Sequence, residues 1–168
     1  VYKRQASEFY KENFARMFGY VQNRIPEISD NITSIDAALK TGFGWKDGPF
    51  EIWNYIGVKD GVKLMKEFDL KPVKWINEMV EKNTNTFYRI NDGYKEYYDL
   101  RSKSFNKVPG QDGFIILKNS PENKVLWSNN EARLIDIGDN ILNLEFGSKM
   151  NSICLLYTSD AADEASSV

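Results

Sequence analysis

Over the first 82 residues the apolar positions recur at helical spacing, and beyond Asn83 the spacing shortens to that of strands. Phe14, Met17, Phe18 and Val21 fall at i, i+3, i+4 and i+7, which puts them on one face of a helix. Pro26 has no backbone N–H and crowds the preceding turn, so a kink or boundary is expected near it. Ile28, Ile32, Ile35 and Leu39 continue the spacing, with Thr33 or Ser34 as cap of a short helix that ends before Gly42. Gly48-Pro49 opens another helix with Pro49 at its first position; Phe50, Trp53 and Ile56 share a face, and Gly57 closes it. Val58 to Phe68 and Pro72 to Glu81 supply two more helical stretches. Phe87 to Ile90 and Lys95 to Asp99 then flank Asn91-Asp92-Gly93, a hairpin turn, and Ser104 to Val108 adds a third strand before the Pro109-Gly110 loop. Ala132 to Ile137 and Asn140 to Phe146 bracket Gly138-Asp139 as a second hairpin. A lone hairpin is marginal in water, so this last one reads as the opening of a larger sheet.

Composition narrows the chemistry more than the fold. The chain has 168 residues, room for one medium domain or two small ones, and 42% of them are hydrophobic, enough to bury a core. Net charge is −2 with Lys and Arg dispersed, which argues against a nucleic-acid partner. No apolar run approaches the ~20 residues that span a bilayer, and the start, Val1 to Gln5, is polar, unlike a signal peptide. The single Cys154 leaves no internal disulfide and fits a reducing compartment, so a cytoplasmic location is expected. Histidine is absent, which rules out a Ser-His-Asp triad, a Cys-His pair and a His-bearing metal site on this chain. Carboxylates, Lys, Tyr and backbone N–H groups remain.

Each motif has a functional and a plainer reading. Gly42, Gly44 and Gly48 in GFGWKDG resemble a dinucleotide fingerprint, but the last gap is one residue too long and a helix precedes it, so a helix connector is favoured. Asn23-Arg24 can hold a carbonyl or phosphate, or cap the helix end at Pro26, and capping is favoured. Glu27 with Asp30, and Asp136 with Asp139, form carboxylate pairs in polar, solvated stretches. Lys149 can meet a phosphate or stay solvated, and the solvated reading is favoured. Phe87, Tyr88, Tyr94, Tyr97 and Tyr98, interleaved with Arg89 and Lys95, suit either a single-strand-binding surface or cross-strand packing.

The stretch IDAALKTGFGWKDGPFEIWNYIGV, Ile35 to Val58, closely resembles a segment of the helical C-terminal domain of 3-hydroxyacyl-CoA dehydrogenases. Ile35, Asp36, Gly42, Gly44, Gly48, Pro49, Phe50, Glu51 and Gly57 carry the match, and YVQNRIPEI, Tyr20 to Ile28, resembles the Asn-Arg helix of that domain. ARLIDIGDNILNLEFGSKMNSI, Ala132 to Ile153, resembles the first strands of an enoyl-CoA hydratase (crotonase-type) domain. Together they look like the long bacterial fatty-acid β-oxidation proteins that carry both activities. The resemblance implies NAD as cofactor and acyl-CoA as substrate of the parent protein, with NAD-binding and hydratase domains as intramolecular partners. It implies no cofactor and no catalytic residue on this piece. The family's His–Glu pair lies in preceding segments, and the hydratase oxyanion and carboxylate groups would follow Ile153. Asn23 and Lys149 are the substrate-binding candidates. The Asp-x-Pro-Gly-Phe lead-in of the catalytic repeat is replaced here by ARMFG, Ala15 to Gly19, which favours a structural Asn23; Asn54 stands where Asp is common.

The expected fold class is therefore α+β. Residues 6–82 form an all-α domain of the dehydrogenase C-terminal type, 83–131 a β-hairpin-rich connector, and 132–153 a truncated crotonase opening hairpin. The ends, VYKRQ at 1–5 and a tail at 154–168 containing LLYTSDAADE from Leu155, resemble translated sequencing-adapter read-through and are set aside as foreign; the small, polar, acidic tail is expected to be disordered. The expected function is that of a fragment of a β-oxidation enzyme with no complete active site. The alternative is a free-standing, non-catalytic binding module that uses the aromatic-basic hairpin.

Overall fold

The computed structural model describes residues 2–119 and 124–147. Five helices precede six short strands, an α+β order. The chain divides into two units, Val1–Arg89 with Lys95–Val108, and Ile90–Tyr94 with the chain from Pro109 onward.

The first unit contains α1 (Tyr2–Gln22), α2 (Ile32–Phe43), α3 (Pro49–Ile56), α4 (Val58–Glu67) and α5 (Lys74–Glu81). They enclose an aromatic centre. Trp53 lies stacked on Phe18 at 4.7 Å between ring centroids, and meets Phe87 edge-on at 5.1 Å. Phe50 reaches the same Phe87 edge-on at 5.3 Å. These four rings and Ile32, Met65, Ile76 and Met79 are fully buried. The helical spacing of Phe14, Met17, Phe18 and Val21 does face this core, with Phe18 and Val21 buried and Phe14 and Met17 partly so. α4 comes close because Gly61 has no side chain: a Cβ there would sit 1.8 Å from Trp53 Nε1.

Two expected boundaries shift, both on α2. The α2 cap is Asn31, not Thr33 or Ser34: its side-chain oxygen accepts the Ser34 N–H at 2.9 Å. The helix passes through Gly42 and stops at Gly44, which adopts the left-handed conformation, φ 67°. Ile28 belongs to the turn after α1 and is 69% exposed, so it does not continue the α2 face; Ile56, expected beside Phe50 and Trp53, is 40% exposed. α1 also begins at Tyr2 and so takes in residues that were set aside as foreign. The Pro49 start and Gly57 close of α3 stand as expected.

β1 (Tyr88–Asn91), β2 (Tyr94–Asp99) and β3 (Ser104–Lys107) form a sheet in the order β1-β2-β3, and β2 and β3 run antiparallel with Tyr98 opposite Phe105. Side-chain amides tie the start of β1 to the helices. Asn54 Oδ1 accepts the N–H groups of Phe87 and Tyr88 at 2.6 and 3.0 Å. Asn85 accepts from Val58 and Lys59 at the first turn of α4, through its backbone O at 3.0 Å and its Oδ1 at 2.9 Å. Gln22, buried, bridges the Lys71 carbonyl and the Val73 N–H, each at 3.0 Å.

In the second unit β4 (Val125–Ser128), β5 (Ala132–Gly138) and β6 (Ile141–Phe146) form an antiparallel sheet in the order β4-β5-β6. The expected β5–β6 hairpin is present, and β4 adds a third strand to it. Asp139 and Asn140 make its β5–β6 turn with positive φ of 53° and 59°, a conformation that short polar side chains tolerate. Leu134 and Ile135 are buried, whereas Ile141, Leu142 and Leu144 are exposed. Among the described residues no helix is long and apolar enough to cross a membrane. Lys149 and the tail 154–168 lie outside the described residues.

Candidate functional site

α3 starts at Gly48, which has no side chain with which to cap it. Asp36, one layer away on α2, fills that role: Oδ1 accepts the Phe50 N–H at 2.8 Å and Oδ2 accepts the Glu51 N–H at 3.1 Å. A Cβ on Gly48 would lie 2.3 Å from the Asp36 side chain, so glycine makes room for the borrowed cap. The Tyr88 hydroxyl of β1 donates a third bond to Asp36 Oδ2 at 2.7 Å. Glu51 turns back onto its own helix start and accepts the Gly48 N–H at 2.8 Å. Its two oxygens also receive Lys40 at 3.0–3.1 Å and Lys95 at 2.5 Å, while the Lys95 ammonium sits 4.4 Å from the Tyr88 ring centre.

Burial pushes the Asp36 carboxyl up to about 6, against the bonds from Tyr88, Phe50 and Glu51 that favour its anion. Burial also raises the Tyr88 phenol, with the Asp36 charge adding to it. Glu51 feels burial too, but the bonds from Lys95, Gly48 and Lys40 carry it below its ordinary value. Split carboxylates of this kind can divide acid and base roles. Here Asp36 is only 2% exposed and its three bonds are all spent on holding α3 and β1, so the cluster is an architectural one.

A groove of about 810 Å³ lies between the C-terminal half of α1 and α2, walled by Met17, Val21, Ile28, Ile35, Leu39 and Trp45. Such a volume falls in the range of ligand and docking clefts. Around it Tyr20, Ile28 and Trp45 expose large apolar side chains. Arg24 lies at its edge, stacked 4.7 Å over Tyr20 and paired with Glu27 at 3.0 Å, and its Nε–H is buried without an acceptor among the described residues. Asp30 opposite is paired with Arg101 at 2.8 Å.

Asn23 is exposed and donates its side-chain amide to the Gly19 carbonyl, one turn back in α1, at 2.6 Å. It does not line the groove. GFGWKDG is a helix connector, as the plainer reading has it. The aromatic-basic hairpin is spent on packing: Tyr88 and Tyr98 are buried, Arg89 pairs with Glu96 and covers the Phe105 ring, and Lys95 pairs with Glu51. Sequence reasoning missed the Asp36–Tyr88 contact, because the two lie 52 positions apart and neither residue type signals the other. Among the described residues no group of three acidic or sulfur-bearing side chains is placed to hold a metal.

The comparisons with known proteins point to fatty-acid oxidation. Over 137 residues, 81% of this chain, the sequence is 39% identical to a Bacillus subtilis (strain 168) protein named as a probable 3-hydroxyacyl-CoA dehydrogenase. Proteins of Rickettsia felis and Rickettsia prowazekii, named as fatty acid oxidation complex trifunctional enzymes, are 29% and 28% identical over 147 residues, 87% of this chain. No protein-family model matches. The homologues are thus 3-hydroxyacyl-CoA dehydrogenase and fatty-acid oxidation complex enzymes. The chain spans 17% of the length of each of these relatives, so it corresponds to one part of them.

Proposed function

We propose that the chain is a segment of a bacterial, cytoplasmic β-oxidation enzyme that combines NAD-dependent 3-hydroxyacyl-CoA dehydrogenase with enoyl-CoA hydratase, and that it contributes a structural helical repeat followed by the first strands of the hydratase domain. The observation that carries this is the 39% identity across most of the chain to the Bacillus protein. The Ile35–Val58 motif supplies the local reason, since its Asp36, Gly48 and Glu51 are the residues that build the α2–α3 corner. On this reading NAD and acyl-CoA bind elsewhere in the longer protein, Asn23 ends a helix, and the foreign ends are read-through. Of the two readings of Lys149, the solvated one is kept. The apolar α1–α2 groove is the face that a neighbouring domain covers.

The test has two arms. Sequencing the genomic DNA around the coding segment is expected to reveal a dinucleotide-binding fingerprint upstream and a hydratase oxyanion segment downstream. The purified chain is expected to give neither NAD-dependent oxidation of 3-hydroxyacyl-CoA, for which it has no histidine, nor hydration of enoyl-CoA, whose oxyanion segment this reading places after Ile153. Turnover abolished by a substitution within this chain would overturn the reading, as would genomic flanks that encode neither activity.

A further inference from the structure

Two neighbouring carboxylates in the first unit have opposite protonation preferences. We propose that Asp36 and Lys40 of α2, Glu51 of α3, Tyr88 of β1 and Lys95 of β2 form a proton-sensitive latch that fastens the two strands onto the two helices. The geometry makes it one connected device. Asp36 is reached by α3 through two N–H groups and by β1 through the Tyr88 hydroxyl. Glu51 is reached by α2 through Lys40 and by β2 through Lys95. Each strand therefore holds the helices through one carboxylate, and both carboxylates meet at the start of α3.

The proton has a defined place. Ionised Asp36 accepts three hydrogen bonds. Protonated on Oδ2, it becomes a donor toward the Tyr88 oxygen, and the Tyr88 hydroxyl proton turns away; the link persists with reversed polarity and one buried negative charge beside Glu51 is removed. Because burial lifts the docked Asp36 to about 6 from its ordinary 3.8, docking takes up a proton. The Asp36 contribution is full below 3.8 and is lost as pH rises through about 6. Glu51 has the opposite sign: it is lowered from 4.5, so its contribution is present above that value and is lost as pH falls through its lowered one. The latch is tightest in weak acid, between those limits, with Asp36 protonated and Glu51 ionised.

Amide exchange of the full chain, corrected for the intrinsic pH dependence, reads the opening constant at Phe87 and Tyr88. From pH 5 to pH 7.5 it is expected to rise about tenfold, the ratio given by a group moving from about 6 to 3.8 on opening. Asp36→Asn keeps the shape and cannot titrate, so its ratio should fall to about one. Carboxyl-carbon NMR on the unsubstituted chain gives an independent reading, with Asp36 titrating near 6, and decides the matter if the variant does not fold. An Asp36 midpoint at the ordinary value, or an Asp36→Asn ratio equal to that of the unsubstituted chain, overturns the proposal.

Discussion

Alanine at position 61 ought to be a helix-stabilising change and is expected here to do the reverse. Glycine within a helix costs about 1 kcal/mol relative to alanine, so propensity alone predicts a gain of that size. The structure opposes it, because the new Cβ would fall 1.8 Å from Trp53 Nε1 and 2.4 Å from Cδ1. Trp53 cannot easily retreat: it is fully buried, with Phe18 stacked 4.7 Å away and Phe87 in an edge-on contact at 5.1 Å. Overpacking of this kind costs about 1–3 kcal/mol. Displacing the indole also removes its bond to the Val58 carbonyl at 3.4 Å, worth about 1 kcal/mol. Set against the propensity gain, Gly61→Ala should destabilise by about 1–3 kcal/mol. Urea unfolding followed by far-UV circular dichroism measures this as a lower midpoint at unchanged slope. Gly42→Ala is the control, since it is also helical and a Cβ there meets nothing within 4 Å; it should stabilise by about 0.5–1 kcal/mol. Trp53→Leu, which has no ring atoms in place of Nε1 and Cε2, should shrink the Gly61→Ala penalty. If both glycine substitutions stabilise equally, the packing of α4 on Trp53 described above is wrong.

Gly48→Ala should cost about 2–4 kcal/mol by forcing Asp36 off the α3 N–H groups, and most of that penalty should vanish in an Asp36→Gly background, which removes the Cβ, Cγ and Oδ1 that the new methyl strikes, as a double-mutant cycle reads directly. Amides of β5 and β6 should exchange before those of α3 and α4, because Ile141, Leu142 and Leu144 leave apolar surface uncovered; adding the downstream hydratase sequence should slow that exchange, and equal protection in both chains would remove the support for the crotonase assignment.

What the residues disclosed in advance was mostly local. Pro49 and Gly57 announce the ends of α3 because their constraints act on their own backbone, and the spacing of Phe18 and Val21 finds a buried face for the same reason. The α2 cap was placed two or three residues late, since Asn31, Thr33 and Ser34 are all competent caps and only the fold selects among them. β4 went unread: Val125 to Ser128 is four residues long, and strand signals that short do not stand out from loop. The buried cluster was the least legible part. Asp36 and Glu51 were visible as members of a family motif, but Lys40, Tyr88 and Lys95 join them only through chain crossings of up to 52 positions. The hairpin aromatics and bases, open to two readings in sequence, resolve into packing once their partners are known.

The two ways of starting a helix in this unit carry different time orders. α2 is capped by Asn31, three residues from the N–H it satisfies, so that contact needs no distant chain. The first turn of α4 has no such neighbour: its N–H groups are met by Asn85, 26 residues downstream of Lys59. A loop of that length must close before the start of α4 is satisfied, and the closure costs entropy that no local contact repays. Gly57, at φ 92° beneath the Asn85 amide, is a joint made after both sides arrive. The α3–α4 break is therefore expected to form late in folding, so that substitutions at Asn85 speed unfolding more than they slow folding.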